Sequence, residues 1–186
     1  MQQRRCEVEK GTEKDSSRTC SASVGAPRPL FVYGTLRAKP LLAWAVLGDS
    51  SRVDDLDDMI RPAQVSKYTR VAVKHSDYPA VIRSAEEGDC VDGYLLQLDT
   101  RSQRKKLDDF EGETYAVEST IVSLLGSDGH PTGETVQGDI YVWVGDKDML
   151  TTEPWELDKF IKERLEDWLD LFDGMEMVGE DYRDGE

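Results

Sequence analysis

Two β-rich segments, TYAVESTIVSLL and TVQGDIYVWV, stand on either side of SDGHPTG, and this pairing constrains the chain more than any other stretch. Val, Ile, Thr and Tyr favour the pleated strand, whereas Gly, Asp and Pro interrupt it. The pattern predicts an antiparallel hairpin with a long loop. Further strands are expected at LFVY, from Leu30, at PAQVS and TRVAVK, and at VDGYLLQLD, where Val, Tyr and Leu gather between Gly and Asp punctuation. HSDYPAVI is read as a loop, and DSSRVDDLDDM as a solvated acidic loop.

Helix signals alternate with these strands. Pro40 opens and Gly48 closes PLLAWAVLG. Thr100 or Ser102 is placed to cap SQRKKLDDF, which runs into Glu111. In TTEPWELDKFIKERLEDWLDLFDG, Leu157, Ile161, Leu165, Trp168 and Phe172 recur at helical spacing, with Pro154 suited to the first turn and Gly174 to the stop. One long C-terminal helix over 151–174 is therefore expected, packed on a domain at 28–150. Residues 1–27 are polar and nearly free of large apolar groups, which predicts a disordered tail. Residues 175–186 read as an acidic tail.

With 38 acidic against 23 basic residues, the formal charge is -15, which repels phosphate backbones and anionic lipid. Nucleic acid and membrane are thereby disfavoured as partners. No apolar run reaches the length of a membrane span, and MQQRRCEVEKGTEKDSS lacks a secretory apolar segment, so the expected compartment is the cytosol. Cys6, Cys20 and Cys90 have no metal-binding spacing and read as free thiols. The two histidines, His75 and His130, fall in expected loops, and no nucleophile elbow is present, which argues against a hydrolase triad.

Two segments hold chemistry. In FVYGTLR, a strand ending at Tyr33 meets Gly34, where the backbone can turn and present successive N–H groups to a carboxylate or oxyanion. In KLDDFEGETYAVE, Glu111 ends a helix beside Phe110, and Gly112 lets the chain leave sharply. A carboxyl held against aromatic walls there would have a raised pKa, with Asp108, Asp109 and Glu113 pushing in the same direction. Such a group is a usable general base near neutral pH.

LFVYGTL, DYPAVI, VDGYLLQLD, LDDFEGETY and IYVW, in that order over residues 29–145, resemble the γ-glutamylcyclotransferase-like family, in particular its avirulence-induced-gene branch of plants and fungi. The resemblance implies an α+β fold: a compact mixed β-barrel flanked by helices, with a pocket between the loop after the first strand and the acidic segment. Tyr33, Gly34, Thr35 and Leu36 match the loop whose amides hold the substrate's glutamyl part; Glu111 matches the catalytic glutamate. Tyr115 matches a pocket tyrosine, and Tyr78 and Tyr141 match aromatic positions near it.

The implied activity is that of an acyltransferase-type cyclase, which turns a small γ-glutamyl amine or amino acid into 5-oxoproline and free amine without metal or organic cofactor. Two departures stand out: many relatives carry a basic residue where this chain has Val117, and an acidic insert spans Asp54 to Asp58 at a position that could reshape the pocket rim. A non-catalytic small-ligand or protein-binding module on the same fold, or a related biosynthetic cyclase, remains an alternative at this point. The oligomeric state and the amine half of the substrate are not legible.

Overall fold

In a computed structural model of the chain, residues 26–175 are described. The expected acidic tail and nearly all of the expected N-terminal tail, with Cys6 and Cys20, lie outside them. Among the described residues seven strands form: β1 (Leu30–Val32), β2 (Ile60–Ser66), β3 (Tyr68–Ala72), β4 (Pro79–Arg83), β5 (Cys90–Leu96), β6 (Tyr115–Leu125) and β7 (Pro131–Trp143). Five of them close a barrel in the order β1-β5-β2-β6-β7. Every pairing is antiparallel except the closing one, in which β1 runs parallel to β7, with Leu30 opposite Asp139. The barrel is therefore mixed. The expected hairpin is β6 and β7, in register from Tyr115↔Trp143 to Leu125↔Pro131, with an irregularity between Ser123 and Leu125.

β1 is a continuous apolar run because it is covered on every side. Leu30 and Phe31 are wholly buried and Val32 nearly so. Helix α1 (Lys39–Leu47) is buried from Leu41 to Val46, as a helix apolar all round must be. Pro40 and Gly48 mark its ends as expected. Helix α2 (Arg101–Glu111) starts on a capping box: Thr100 accepts from the Gln103 amide, and the Gln103 side chain accepts from the Thr100 amide. Replacing Thr100 with Ala is expected to cost about 1 kcal/mol in denaturant unfolding, with α2 fraying first.

Three sequence expectations are corrected. YPAVI is not loop: Pro79–Arg83 is β4, paired with β3 from Ala72↔Pro79 to Tyr68↔Arg83. Pro79 is tolerated as the strand's first residue, where its missing N–H interrupts no ladder. The acidic loop is anchored, since Asp54–Leu56 forms a 3-10 turn whose Leu56 is wholly buried.

The C-terminal helix is two short ones, α3 (Leu157–Glu163) and α4 (Leu165–Phe172), broken at Arg164 (φ -131°, ψ -24°). Pro154 lies before the first turn, not in it. Within α3 the buried residue is Phe160, 3% exposed, whereas Ile161, expected in the apolar stripe, is 43% exposed. Leu165, Trp168 and Phe172 do pack on the core. Among the described residues no helix is long and apolar enough to cross a membrane.

Candidate active site

Immediately beyond β1 the chain enters a single 3-10 turn, Thr35–Arg37. Its bonds run from the Arg37 amide to the Gly34 carbonyl and from the Ala38 amide to the Thr35 carbonyl, each 2.9 Å. The amides of Gly34, Thr35 and Leu36 precede the first bond and meet no acceptor among the described residues. Gly34 is needed for closeness: an added Cβ would lie 2.9 Å from Pro79 Cγ. Arg70 fixes the loop from behind, donating to the Tyr33 carbonyl (2.8 Å) and to Asp92 (2.9 Å). Arg37 pairs with the other oxygen of Asp92 at 2.8 Å.

Helix α2 brings the acid. Gly112 adopts φ 72°, a left-handed value that lets the chain leave as soon as Glu111 is placed. Asp108, one turn earlier, accepts from Arg104 Nε (2.9 Å) and from the Tyr141 hydroxyl (2.6 Å). Arg104 also donates to Asp139 on β7 at 2.9 Å, and Asp139 is only 5% exposed. This chain of charge-assisted bonds ties α2 to the barrel and sets where Glu111 lies. Sequence reasoning missed Arg104 and Asp139, because their partners come from distant elements.

Both parts meet in one cleft. Glu111, Tyr33, Gly34, Thr35, Leu36, Tyr78, Tyr115 and Tyr141 all line it, so the structure brings every predicted site residue together. Phe31, Val32 and Pro79 complete the lining; each lies within two residues of a predicted one, the one signal that could have found them. The cleft has about 310 Å³ of empty space including its mouth.

The tyrosine hydroxyls already have uses. Tyr33 donates to the Tyr141 carbonyl (2.8 Å) and Tyr115 to the Pro79 carbonyl (2.8 Å). Burial, then the charge of Glu111, raises the pKa of both Tyr33 and Tyr115; burial and the bond to Asp108 raise that of Tyr141.

Glu111 as a whole residue is half-buried, but burial at its carboxyl end pushes that group up to about 8, and the Asp108 charge adds to the shift. No hydrogen bond opposes this. Asp109 and Glu113, expected to help, do not enter: Asp109 pairs with Lys105 at 2.8 Å instead. Val117 is 47% exposed and does not line the cleft, nor does any residue of Asp54 to Asp58. His75 and His130 are likewise away from it, and among the described residues no cluster of His, Cys, Asp or Glu is arranged to hold a metal.

Comparison with curated proteins finds no match. Among solved structures, one Arabidopsis thaliana protein, known from a solution structure, is 22% identical, with 82% of this chain and 92% of that chain covered and a TM-score of 0.51. A second Arabidopsis thaliana solution structure is 21% identical, with 83% and 86% covered and a TM-score of 0.52. These show a shared fold. The family described as gamma-glutamyl cyclotransferase, AIG2-like, matches residues 30–170, the barrel, the cleft and most of the C-terminal helical pair, and the chain belongs to that family.

Proposed function

We propose that the chain is a cyclotransferase that closes the glutamyl part of a small γ-glutamyl amine or amino acid into 5-oxoproline and releases the free amine. One observation supports this above all: Glu111 and the residues Gly34, Thr35 and Leu36, whose amides have no acceptor among the described residues, line the same cleft. A carboxyl turned to bulk water would have favoured a binding module.

In a γ-glutamyl amide the α-amine can reach its own γ-carbonyl. Holding the folded conformer supplies an effective concentration on the order of 10⁵ M or more in well-oriented cases. The amine nitrogen attacks the γ-carbon, and Glu111, ionised, takes the proton it sheds. The carbonyl oxygen becomes an oxyanion, for which the amides of the 3-10 turn are donors that need no reorganisation. When the carbon–nitrogen bond to the leaving amine breaks, Glu111 returns the proton to that nitrogen. The ring keeps the original carbonyl oxygen, and no water is consumed. Tyr33, Tyr78, Tyr115 and Tyr141 wall the cleft and keep Glu111 desolvated.

A screen of γ-glutamyl amino acids, γ-glutamyl amines and glutathione, read by mass spectrometry as 5-oxoproline, tests the proposal. Release of glutamate instead would mean hydrolysis, and no turnover of any compound would leave the cleft as a binding site only.

The pH profile follows from the raised pKa. Because the base form is needed, kcat/KM is expected to rise with pH as the carboxyl ionises, with its acid limb near 8. Replacing Asp108 with Asn removes a neighbouring negative charge and is expected to move that limb toward lower pH. A limb that stays in place would show that Asp108 does not act on Glu111.

A further inference from the structure

The C-terminal helical pair reaches both sides of the cleft. On one side stands Asp77, directly before the lining residues Tyr78 and Pro79. Its carbonyl accepts from Trp155 Nε1 at 2.7 Å, and its Oδ2 accepts from Arg164 Nε at 2.9 Å and Trp168 Nε1 at 3.0 Å. Arg164 is the residue at the helix break, and its departure from helical geometry accompanies this contact.

On the other side, rings form a continuous path to the catalytic helix. Trp168 meets Phe172 edge-on at 5.8 Å, Phe172 stacks on Trp44 at 4.6 Å, and Phe172 meets Phe110, the neighbour of Glu111, at 6.0 Å. Aromatic contacts of this kind add to area burial and hold ring orientation.

The cleft has two walls of unequal support, the β1 side and the Tyr78–Pro79 side. The β1 side is paired on both edges, to β5 and to β7, and is the stiffer of the two. The stretch from Lys74 to Tyr78 belongs to no strand; apart from the Lys74 amide on the Met149 carbonyl (2.8 Å) and the Ser76 amide on the Val73 carbonyl (3.3 Å), it depends on side-chain ties.

We propose that Asp77 is a positioning residue for the Tyr78–Pro79 wall, through which Arg164 and Trp168 let the C-terminal helical pair set the width of the cleft; its part in substrate binding rests on the γ-glutamyl reading above. Asp77 does not touch substrate. Trp155 holds the main chain of the same residue, so loss of the carboxylate frees the side-chain tie and leaves that anchor in place.

Hydrogen exchange on the full chain tests this without any substrate. In Asp77→Ala the amides of residues 75–78 and 80 are expected to exchange about tenfold faster, with those of β1, β5 and β7 unchanged. Trp168→Phe, which keeps a ring and removes one N–H, is expected to give a smaller change at the same amides. Binding of 5-oxoproline, measured by calorimetry, is expected to weaken about tenfold in Asp77→Ala. It should return to within about threefold of the unaltered protein in Asp77→Asn, whose side-chain oxygen still accepts both donors. Unchanged exchange at 75–78 and 80 in both variants, or faster exchange spread evenly over the barrel, overturns the proposal. If the unaltered protein does not bind 5-oxoproline, the γ-glutamyl reading fails, and the exchange pattern alone decides whether Asp77 positions the wall.

Discussion

Replacing Glu111 with Gln is expected to reduce 5-oxoproline formation by about 10²- to 10⁴-fold while leaving the barrel folded. The amide is close in size and keeps the cleft filled, but it cannot accept the proton that the attacking amine sheds. The same substitution is expected to raise stability. A carboxyl whose pKa rises from 4.5 in the unfolded chain to about 8 in the fold stabilises fully only below the lower value. Between those two values the unfolded chain gives up its proton while the folded chain keeps it, so stability falls as pH rises. Glu111→Gln removes that penalty. The gain over the unaltered protein is expected to be near zero at pH 4 and on the order of 4 kcal/mol at pH 8. Loss of turnover combined with a pH-dependent gain in stability is the signature of a catalytic group held at the expense of the fold. Loss of turnover with loss of stability at every pH would point to a structural role.

The largest expected effect on folding lies at Gly93. This residue sits in the middle of β5 opposite Ala63 of β2. An added Cβ would fall 2.2 Å from the Val32 carbonyl oxygen and 2.8 Å from Phe31 Cζ. The Phe31 ring is wholly buried and lines the cleft, and it occupies the space that a side chain at 93 would need. The Val32 oxygen belongs to the backbone of β1 and cannot retreat without opening the β1–β5 pairing. Overpacking in cores commonly costs about 1–3 kcal/mol, and here the obstacle is main chain, so Gly93→Ala is expected to lose about 3 kcal/mol or more in urea unfolding. Gly88→Ala is the control, since nothing lies within 4 Å of an added Cβ there, and it is expected to change stability by no more than about 0.5 kcal/mol. Equal midpoints for the two variants would refute the packing described for β1.

Gly93 also shows where sequence reading stops. VDGYLLQLD is read as a strand and is one, but nothing in the segment says why it holds a glycine, because the residues that require its missing side chain, Phe31 and Val32, are far away in sequence. Features whose causes are local were legible. The ends of α1 follow from Pro40 and Gly48, the start of α2 from Thr100, and the hairpin from its alternating β-formers. Features whose causes are distant were not. The break at Arg164 comes with Asp77, 87 residues earlier, and the parallel closure of β1 on β7 has no mark in either segment.

The site divides the same way. Glu111 and the YGTL loop each look like ordinary surface features when read alone, and only their joint order carried the assignment. The depth of Glu111 and the bonds that place α2, from Asp139 through Arg104 to Asp108 and Tyr141, needed the fold.

The central physical claim is that the Glu111 side chain keeps its proton to near-neutral pH because the cleft holds water away from it. Carbon-13 NMR titration of the glutamate side-chain carboxyls, with the Glu111 signal assigned from its absence in Glu111→Gln, measures this without any substrate. The account expects a midpoint near 8. A midpoint near the ordinary 4.5 would contradict it.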